Sequence, residues 1–467
     1  MRFFKEPIYL ILLFYAVLAA FTIFYFNGTG DSGDSITHYL FAKYAPRHPD
    51  LYFHHWAKPV FVLLASPFAQ FGFGGMKLFN VLNTLGTIFL TYKIAERLQL
   101  KNTYAVALLL IFSPMYFVLT FSGLTEPLFA LFLAGAIFLC TKRKYLPAIL
   151  LVSFMPFVRS EGLIFLGVFG VYLIAKQKWK LIPWLAAGHF VYSFAGYFAH
   201  QDLLWVFRKI PYAHFDSIYG RGDMGHFAKE LFYILGLPAL VLFLFGFVAL
   251  LKDILKRKKI SRLVWIVVFG GFLCFFAAHT IFWYYGIFGS MGLTRVFICV
   301  IPLMALIMLK GFNFLTEEII PDRKNISVVL KVAILFYIVA FPFTRTHGAI
   351  VFDRDMTLSV EQKAAEEVGK FLFEQKTETP KIAYEAPHLA IALNIDPFDQ
   401  RKRTHLNAAN LKTLKSGDVL IWDNHFALLD MKINKEELDQ DTTFTNVFTI
   451  PMSENGREAE YRIYRKK

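Results

Sequence analysis

Only three cysteines occur in the 467-residue chain, and none sits where cysteine does chemistry. Cys140, Cys274 and Cys299 fall inside apolar runs, without metal-ligand spacing or a disulfide partner, and read as inert packing residues. No GxxxxGK[ST] loop occurs, so nucleotide-driven transport has no support. There is no internal repeat and no low-complexity tract. Acids are fewer than bases, 35 against 49, for a formal charge of +14. In a soluble protein that excess would point to nucleic acid; here the placement of the bases removes that reading.

Apolar side chains are abundant. The chain is 56% hydrophobic and 18% aromatic, with 53 Phe and a mean hydropathy of +0.47, against about 45 to 50% apolar residues in soluble domains. This composition describes an integral membrane protein. Apolar segments recur at 8–26, 75–93, 104–122, 124–140, 145–158, 161–175, 181–199, 231–251, 262–284, 293–310 and 326–343, giving about eleven expected transmembrane helices. The first is long and is followed by no small-residue cleavage site, so it reads as an uncleaved span. "PVFVLLASPFAQF" (59–71) is too short to cross and reads as a helix lying in the interface.

Short cytoplasmic loops concentrate Lys and Arg. Lys93, Arg97 and Lys101 follow span 2, "TKRK" (141–144) span 4, "KQKWK" (176–180) span 6 and "KDILKRKKISR" (252–262) span 8, while 121–125 and 285–292 carry neither. With the N-terminus inside, an odd number of spans leaves 346–467 outside. That segment is polar, with a helix-like run at 359–375 and strand-like runs at 381–386, 418–423, 444–450 and 461–465. We therefore expect a transmembrane domain over 1–345 and a small extracytoplasmic α/β domain over 346–467. The charge, with abundant Lys and Phe, fits an ordinary bacterial inner-membrane protein.

Ionisable groups at membrane depth are costly and are kept mainly for function. Those on the outer side converge. Asp31, Asp34 and His38 lie in "GDSGDSITHY" (30–39), and His54, His55 and Lys58 in "YFHHWAKP" (52–59). Glu126 lies in "SGLTEPLF" (122–129), Arg159 and Glu161 in "FVRSEGLIF" (157–165), and Arg295 in "SMGLTRVF" (290–297). Four hairpin ends thus bring acids and bases to one side, where a cleft could hold an anionic headgroup and a nucleophile. Each residue also has a plain structural reading. Asp31 is good N-cap chemistry. Glu126 before Pro127 can start a helix. Arg159 and Glu161 can simply pair. His54 and His55 suit an interfacial aromatic belt with polar tips. Asp34 is better placed for work, sharing a helix face with His38 four residues on.

In order, spacing and shared side, these motifs resemble the C-type glycosyltransferases (GT-C), polytopic enzymes that take a sugar from a polyprenyl-phosphate carrier on the outer or lumenal face. The resemblance covers about the first 310 residues. "GDSITHYLFAKYA" is similar to the family's first-loop acidic motif with Asp34 as the acid, and "WAKPVF" to its Lys-Pro motif with Lys58. "SGLTEPLF" is similar to its second acidic loop, "RSEGLIF" to the Arg-x-Glu-Gly element of mannosyltransferase-like branches, and "GLTRVFICVIPL" to its late Arg-aromatic motif. Many relatives have two adjacent acids in the first loop, whereas Gly33 precedes Asp34 here, which leaves metal use and the part of Asp31 open.

The resemblance implies transfer of a hexose, mannose-like, with inversion, from a polyprenyl-phosphate donor to a glycan, lipid or protein acceptor, with the active site on the extracytoplasmic face. Asp34 and Glu126 are then the catalytic acids, with Asp34 as base. Lys58, Arg159 and Arg295 bind the donor phosphate, and Asp31, His38, His54, His55 and Glu161 support them. No cofactor is required beyond a divalent cation left open. The expected partners are the donor, the acceptor and the bilayer, not nucleic acid. The chemistry needs these types: a base for the acceptor proton and cations for the departing phosphate. The rival class, a transporter or lipid or glycan flippase, would place charges mid-span in paired interrupted helices rather than on one side.

Overall fold

The computed structural model describes residues 6–212, 219–319, 324–347, 350–375 and 380–467. The chain is a helical bundle capped by a small sheet domain. The first helix, α1 (Pro7–Tyr25), opens with proline at its first turn, where the missing N–H costs nothing. It is apolar all round, turning Leu13, Phe14, Val17 and Phe21 outward and packing only Ile8, Tyr15, Ala19 and Thr22 inward. α2 (Asp34–Tyr44) lies in the outer loop, and α3 (Pro59–Ala69) is the expected short helix, with Leu63 and Leu64 exposed on one side. α4 (Gly72–Arg97) carries a buried polar stripe of Asn80, Asn83, Thr84, Thr87 and Thr91.

All eleven apolar segments contain helix. By length and composition five helical stretches are able to cross a membrane: Pro7–Tyr25, Leu237–Leu255, Leu263–Tyr285, Thr294–Ile319 and Ile326–Phe343. Helices Glu126–Thr141, Tyr145–Phe157 and Gly162–Ala175 are shorter. The 104–122 segment is broken between Ala105–Ile111 and Pro114–Leu119, because Pro114 cannot donate to the ladder. The 231–251 segment is split at Gly236, which adopts a positive φ of 74°. Thr294–Ile319 is the central helix, 89% buried, whereas the other four long stretches mostly face outward.

The basic loops gather at the end of the bundle opposite the outer loop. Glu6 at the start of α1 reaches Lys93 near the end of α4 at 3.5 Å, and Lys310 pairs with Asp253 and Lys252 with Glu318.

In the C-terminal domain, helix Val360–Glu374 starts with a reciprocal capping box between Ser359 and Gln362. The strands are β1 (Ile382–Ala383), β2 (Arg403–Thr404), β3 (Val419–Asp423), β4 (Phe444–Glu454) and β5 (Arg457–Lys466), in spatial order β2-β1-β3-β5-β4. β1 runs parallel to β2 and β3; β5 runs antiparallel to β3 and β4. All of β3 is buried: Val419 and Ile421 pack with the group that includes Ala364 and Val368, and Leu420 and Trp422 join Leu406 and Leu438 in a second core. β2 went unrecognised in the sequence because two residues carry no periodicity.

The domain sits on the outer loop. Gly28 N–H donates to Met356 O at 2.8 Å, Gln362 donates to Thr29 Oγ1 at 2.8 Å, Tyr44 OH donates to Ile395 O at 3.2 Å, and His48 meets Asp396 at 3.0 Å. A Cβ on Gly28 would stand 2.4 Å from the Met356 carbonyl carbon, so only glycine permits this approach.

Candidate active site

The outer turn carrying Glu126 is pinned from two sides. Asn80 of α4 donates to Ser122 O at 2.7 Å and Leu124 O at 2.9 Å. From the outer loop, Ser35 Oγ accepts from Gly123 N–H at 2.7 Å, and a Cβ on Gly123 would lie 2.3 Å from Ser35 O. The absent side chain lets the start of α2 settle directly on this turn, bringing residues 31–35 beside Glu126.

Asp31 stands two residues before the N-cap of α2, which is Gly33. Its Oδ1 accepts from Gly33 N–H at 2.9 Å and from Ser35 N–H in the first turn at 3.2 Å, while its Oδ2 accepts from Arg295 at 2.6 Å. Arg295 also grips Asp34 and stands 3.6 Å from Glu126. One guanidinium thus draws on three carboxylates from three parts of the chain. The acids differ in access: the Asp34 side chain is 43% exposed, Asp31 29% and Glu126 0%. Asp34 is therefore the one best able to meet a substrate.

Arg159 is fully committed. It donates to Glu161 at 2.7 Å and to Thr125 Oγ1 at 2.9 Å, and lies 2.9 Å from Glu126. Because that nitrogen is aimed at Thr125, both Glu126 oxygens stay buried without a hydrogen bond, as does Arg295 Nε. A buried carboxylate in this condition is held by charge rather than by donated bonds, an arrangement stable only while its cations remain.

Lys58 differs from the two arginines. Its ammonium donates to a neutral hydroxyl, Ser160 Oγ, at 2.8 Å. Burial pushes its pKa down to about 8. Its backbone sits at φ 70°, a strained position for a non-glycine residue costing about 1 to 3 kcal/mol. The charge of Glu161 nearby partly offsets the effect of this burial.

The histidines fall into structural surroundings. His38 stacks on Trp56 at 4.7 Å, and burial followed by the nearby cations Arg159, Arg295 and Lys58 pushes it down to about 3, so it stays neutral. Its side chain makes no hydrogen bond or ion pair with that of Asp34 despite sharing its helix face; its Nδ1 is buried and unbonded. His54 accepts from Ala57 N–H, and His55 bonds to Val206 O at 3.0 Å, both lowered to about 4 mainly by burial. Sequence reasoning missed Thr125, Ser160 and His279. Ser160 stands between two residues already singled out, so adjacency was its only signal. His279 is a lone histidine in an apolar run, buried with Nε2 unpartnered, and carries no sequence signal at all.

Among the described residues, no three His, Cys, Asp or Glu side chains converge to hold a metal ion. The two first-loop acids, the natural donors for a divalent cation, are turned to Arg295 instead.

Two cavities lie against the C-terminal domain. One, of about 770 Å³, is lined by Asp31 and Arg295 together with Met115, Val118 and Leu119. The other, of about 880 Å³, reaches α2 at Thr37, Leu40 and Phe41.

The fold, a helical bundle with a small sheet over one end, is of the GT-C kind. The chain is similar to the crystal structure of ArnT from Cupriavidus metallidurans bound to undecaprenyl phosphate, with a TM-score of 0.60, 12% identity and 97% of each chain covered. It is also similar to the oligosaccharyltransferase of Archaeoglobus fulgidus, tethered with an acceptor peptide containing the NVT sequon. There the TM-score is 0.51 and the identity 11%, over 86% of this chain and 64% of that one. No protein-family model matches the sequence, and no curated protein does so.

Proposed function

We propose that the chain is a membrane glycosyltransferase that moves a hexose from a polyprenyl-phosphate carrier to an extracytoplasmic acceptor in a bacterial inner membrane. The observation that carries this reading is Arg295 gripping Asp31 and Asp34 beside buried Glu126, with a cavity of about 770 Å³ reaching Asp31 and Arg295. The likeness to a protein crystallised with undecaprenyl phosphate supports a lipid-linked donor.

Asp34 takes the proton of the acceptor hydroxyl as that oxygen attacks the anomeric carbon. The bond between that carbon and the phosphate oxygen breaks, and polyprenyl phosphate leaves with the bonding electrons. A single displacement inverts the anomeric centre. Charge accumulates on the phosphate, where Lys58 has no carboxylate bonded to it and Arg295 lies nearby. Arg159 is a positioning residue that holds Glu126 and Glu161 in place.

The test is reconstitution in nanodiscs with polyprenyl-phosphate hexoses, following release of polyprenyl phosphate and the anomeric configuration of the product. Inverted product that disappears in Asp34→Asn supports the reading. Product with retained configuration, or turnover indifferent to Asp34, sinks it.

A further inference from the structure

We propose that the basic end of the bundle, opposite the charged centre, carries a binding site for an anionic phospholipid, in a pocket where the 141–146 and 176–181 segments meet. This site is separate from the glycosyl-transfer reading and does not rest on it.

The sequence concentrates uncompensated charge there. No Asp or Glu occurs from residue 127 to 160 or from 162 to 201, yet these stretches hold Lys142, Arg143, Lys144, Lys176, Lys178 and Lys180. The two acids that bound them, Glu126 and Glu161, are held by Arg159 at the other end of the bundle. The fold then brings the two basic turns together. Lys178 lies over the Tyr145 ring at 5.9 Å, and the Tyr145 and Tyr172 rings are 6.4 Å apart. Arg262, at the end of a third basic loop, donates to Ala175 O and adds a seventh cation to this end. Among the described residues none of these cations forms an ion pair with a carboxylate. The other basic loops carry acids among their bases: Glu96 pairs with Lys93, Asp253 with Lys258 and Lys310, and Glu318 with Lys252.

Membrane orientation asks only that bases lie on one side of the bilayer, not that they share one place without an acid. Helix dipoles account for little of the charge. The carbonyl ends of helices Glu126–Thr141 and Gly162–Ala175 point here, and each presents a partial charge of about −0.5. Most of the positive charge is left for an external anion.

The surroundings identify that anion as a lipid. The pocket, of about 380 Å³, is lined by Gln177, Lys178 and Lys180 together with Tyr145, Leu146 and Trp179. Apolar surface continues from its walls: Trp179 is 64% exposed, Trp184 49%, Ile174 61% and Leu146 40%. Tryptophan at a membrane boundary lies at the level of the headgroups. A phosphate seated on the lysines therefore leaves its acyl chains against Leu146, Ile174 and the indoles. Free phosphate would use the lysines and leave this apolar surface uncovered. Basic pockets between helices at a membrane face are suited to anionic headgroups in this way.

The experiment is native mass spectrometry of the full-length chain in detergent, with phosphatidylglycerol as the anionic lipid and phosphatidylcholine as the zwitterionic one. We expect phosphatidylglycerol to be retained in preference. The triple variant Lys144→Gln, Lys178→Gln, Lys180→Gln should lower that retention by about tenfold or more, since each base near an anionic headgroup contributes. The charge-matched control Lys256→Gln, Arg257→Gln, Lys259→Gln should keep it. Trp179→Ala, which removes an exposed ring and no charge, should lower retention severalfold, and inorganic phosphate in large excess should leave the bound lipid in place. Equal retention of the two lipids overturns the proposal. So does equal loss in both triple variants, which marks a diffuse effect of charge. Unchanged retention in Trp179→Ala, or displacement by inorganic phosphate, overturns the lipid assignment.

Discussion

At the scale of single residues, the cluster assigns different duties to chemically similar groups. Asp34 and Asp31 are both carboxylates on Arg295, but Asp31 also accepts from Gly33 and Ser35 N–H at the start of α2 through its second oxygen. Asp34→Asn should cut turnover by about 10² to 10⁴, the usual worth of a general base, with undecaprenyl phosphate binding kept. Asp31→Asn keeps an oxygen for those N–H groups and should lower turnover far less; the reverse ranking in a turnover assay would transfer the role of base to Asp31. Lys58 supplies a pH dependence. Its ammonium must be charged to hold a phosphate, and burial lowers its pKa to about 8. Affinity for undecaprenyl phosphate should therefore be steady at lower pH and weaken as the pH rises through about 8, measured by titration across that range. Lys58→Arg, always charged, should remove this fall. A fall that persists in the arginine variant belongs to another group.

Among the elements, the site depends on how closely two irregular segments approach each other. Gly123 allows the start of α2 to sit against the turn before Glu126, with Ser35 Oγ accepting from its N–H. Gly123→Ala places a Cβ 2.3 Å from Ser35 O, and overpacking of this kind costs about 1 to 3 kcal/mol. It should lower the melting temperature and, by parting Glu126 from the first-loop acids, reduce turnover as well. Gly74→Ala is the control, since nothing lies within 4 Å of its added carbon; equal damage from both changes in thermal melts and turnover would show that the approach at Gly123 is unimportant. Helix Val360–Glu374 shows the opposite case, an element whose start is written locally in Ser359 and Gln362.

For the whole molecule, the charged centre lies at one end of the bundle and the Lys/Arg-rich loops at the other, as the positive-inside pattern requires. In a background without the native cysteines, a cysteine near Lys258 should be shielded from an impermeant thiol reagent in intact cells, and one near Asn434 should be labelled. The reverse pattern would invert the orientation and place the centre in the cytoplasm. By itself the sequence determined the membrane class, the eleven apolar segments that all contain helix, of which five stretches are long enough to cross, and which acids and bases gather together. These are properties of composition and of periods that repeat within one segment, so local physics is enough to reveal them. It did not determine that Arg295 joins Asp31 to Asp34 across more than 260 residues, that Arg159 is consumed by Glu126, Glu161 and Thr125, or that Lys58 leans on Ser160. Nor did it disclose β2, or the crevice that β2 and β1 form against α2. Partner choice among like charges is settled by three-dimensional distance and burial, and the contacts that decide it join segments whose separation along the chain leaves no pattern in either one.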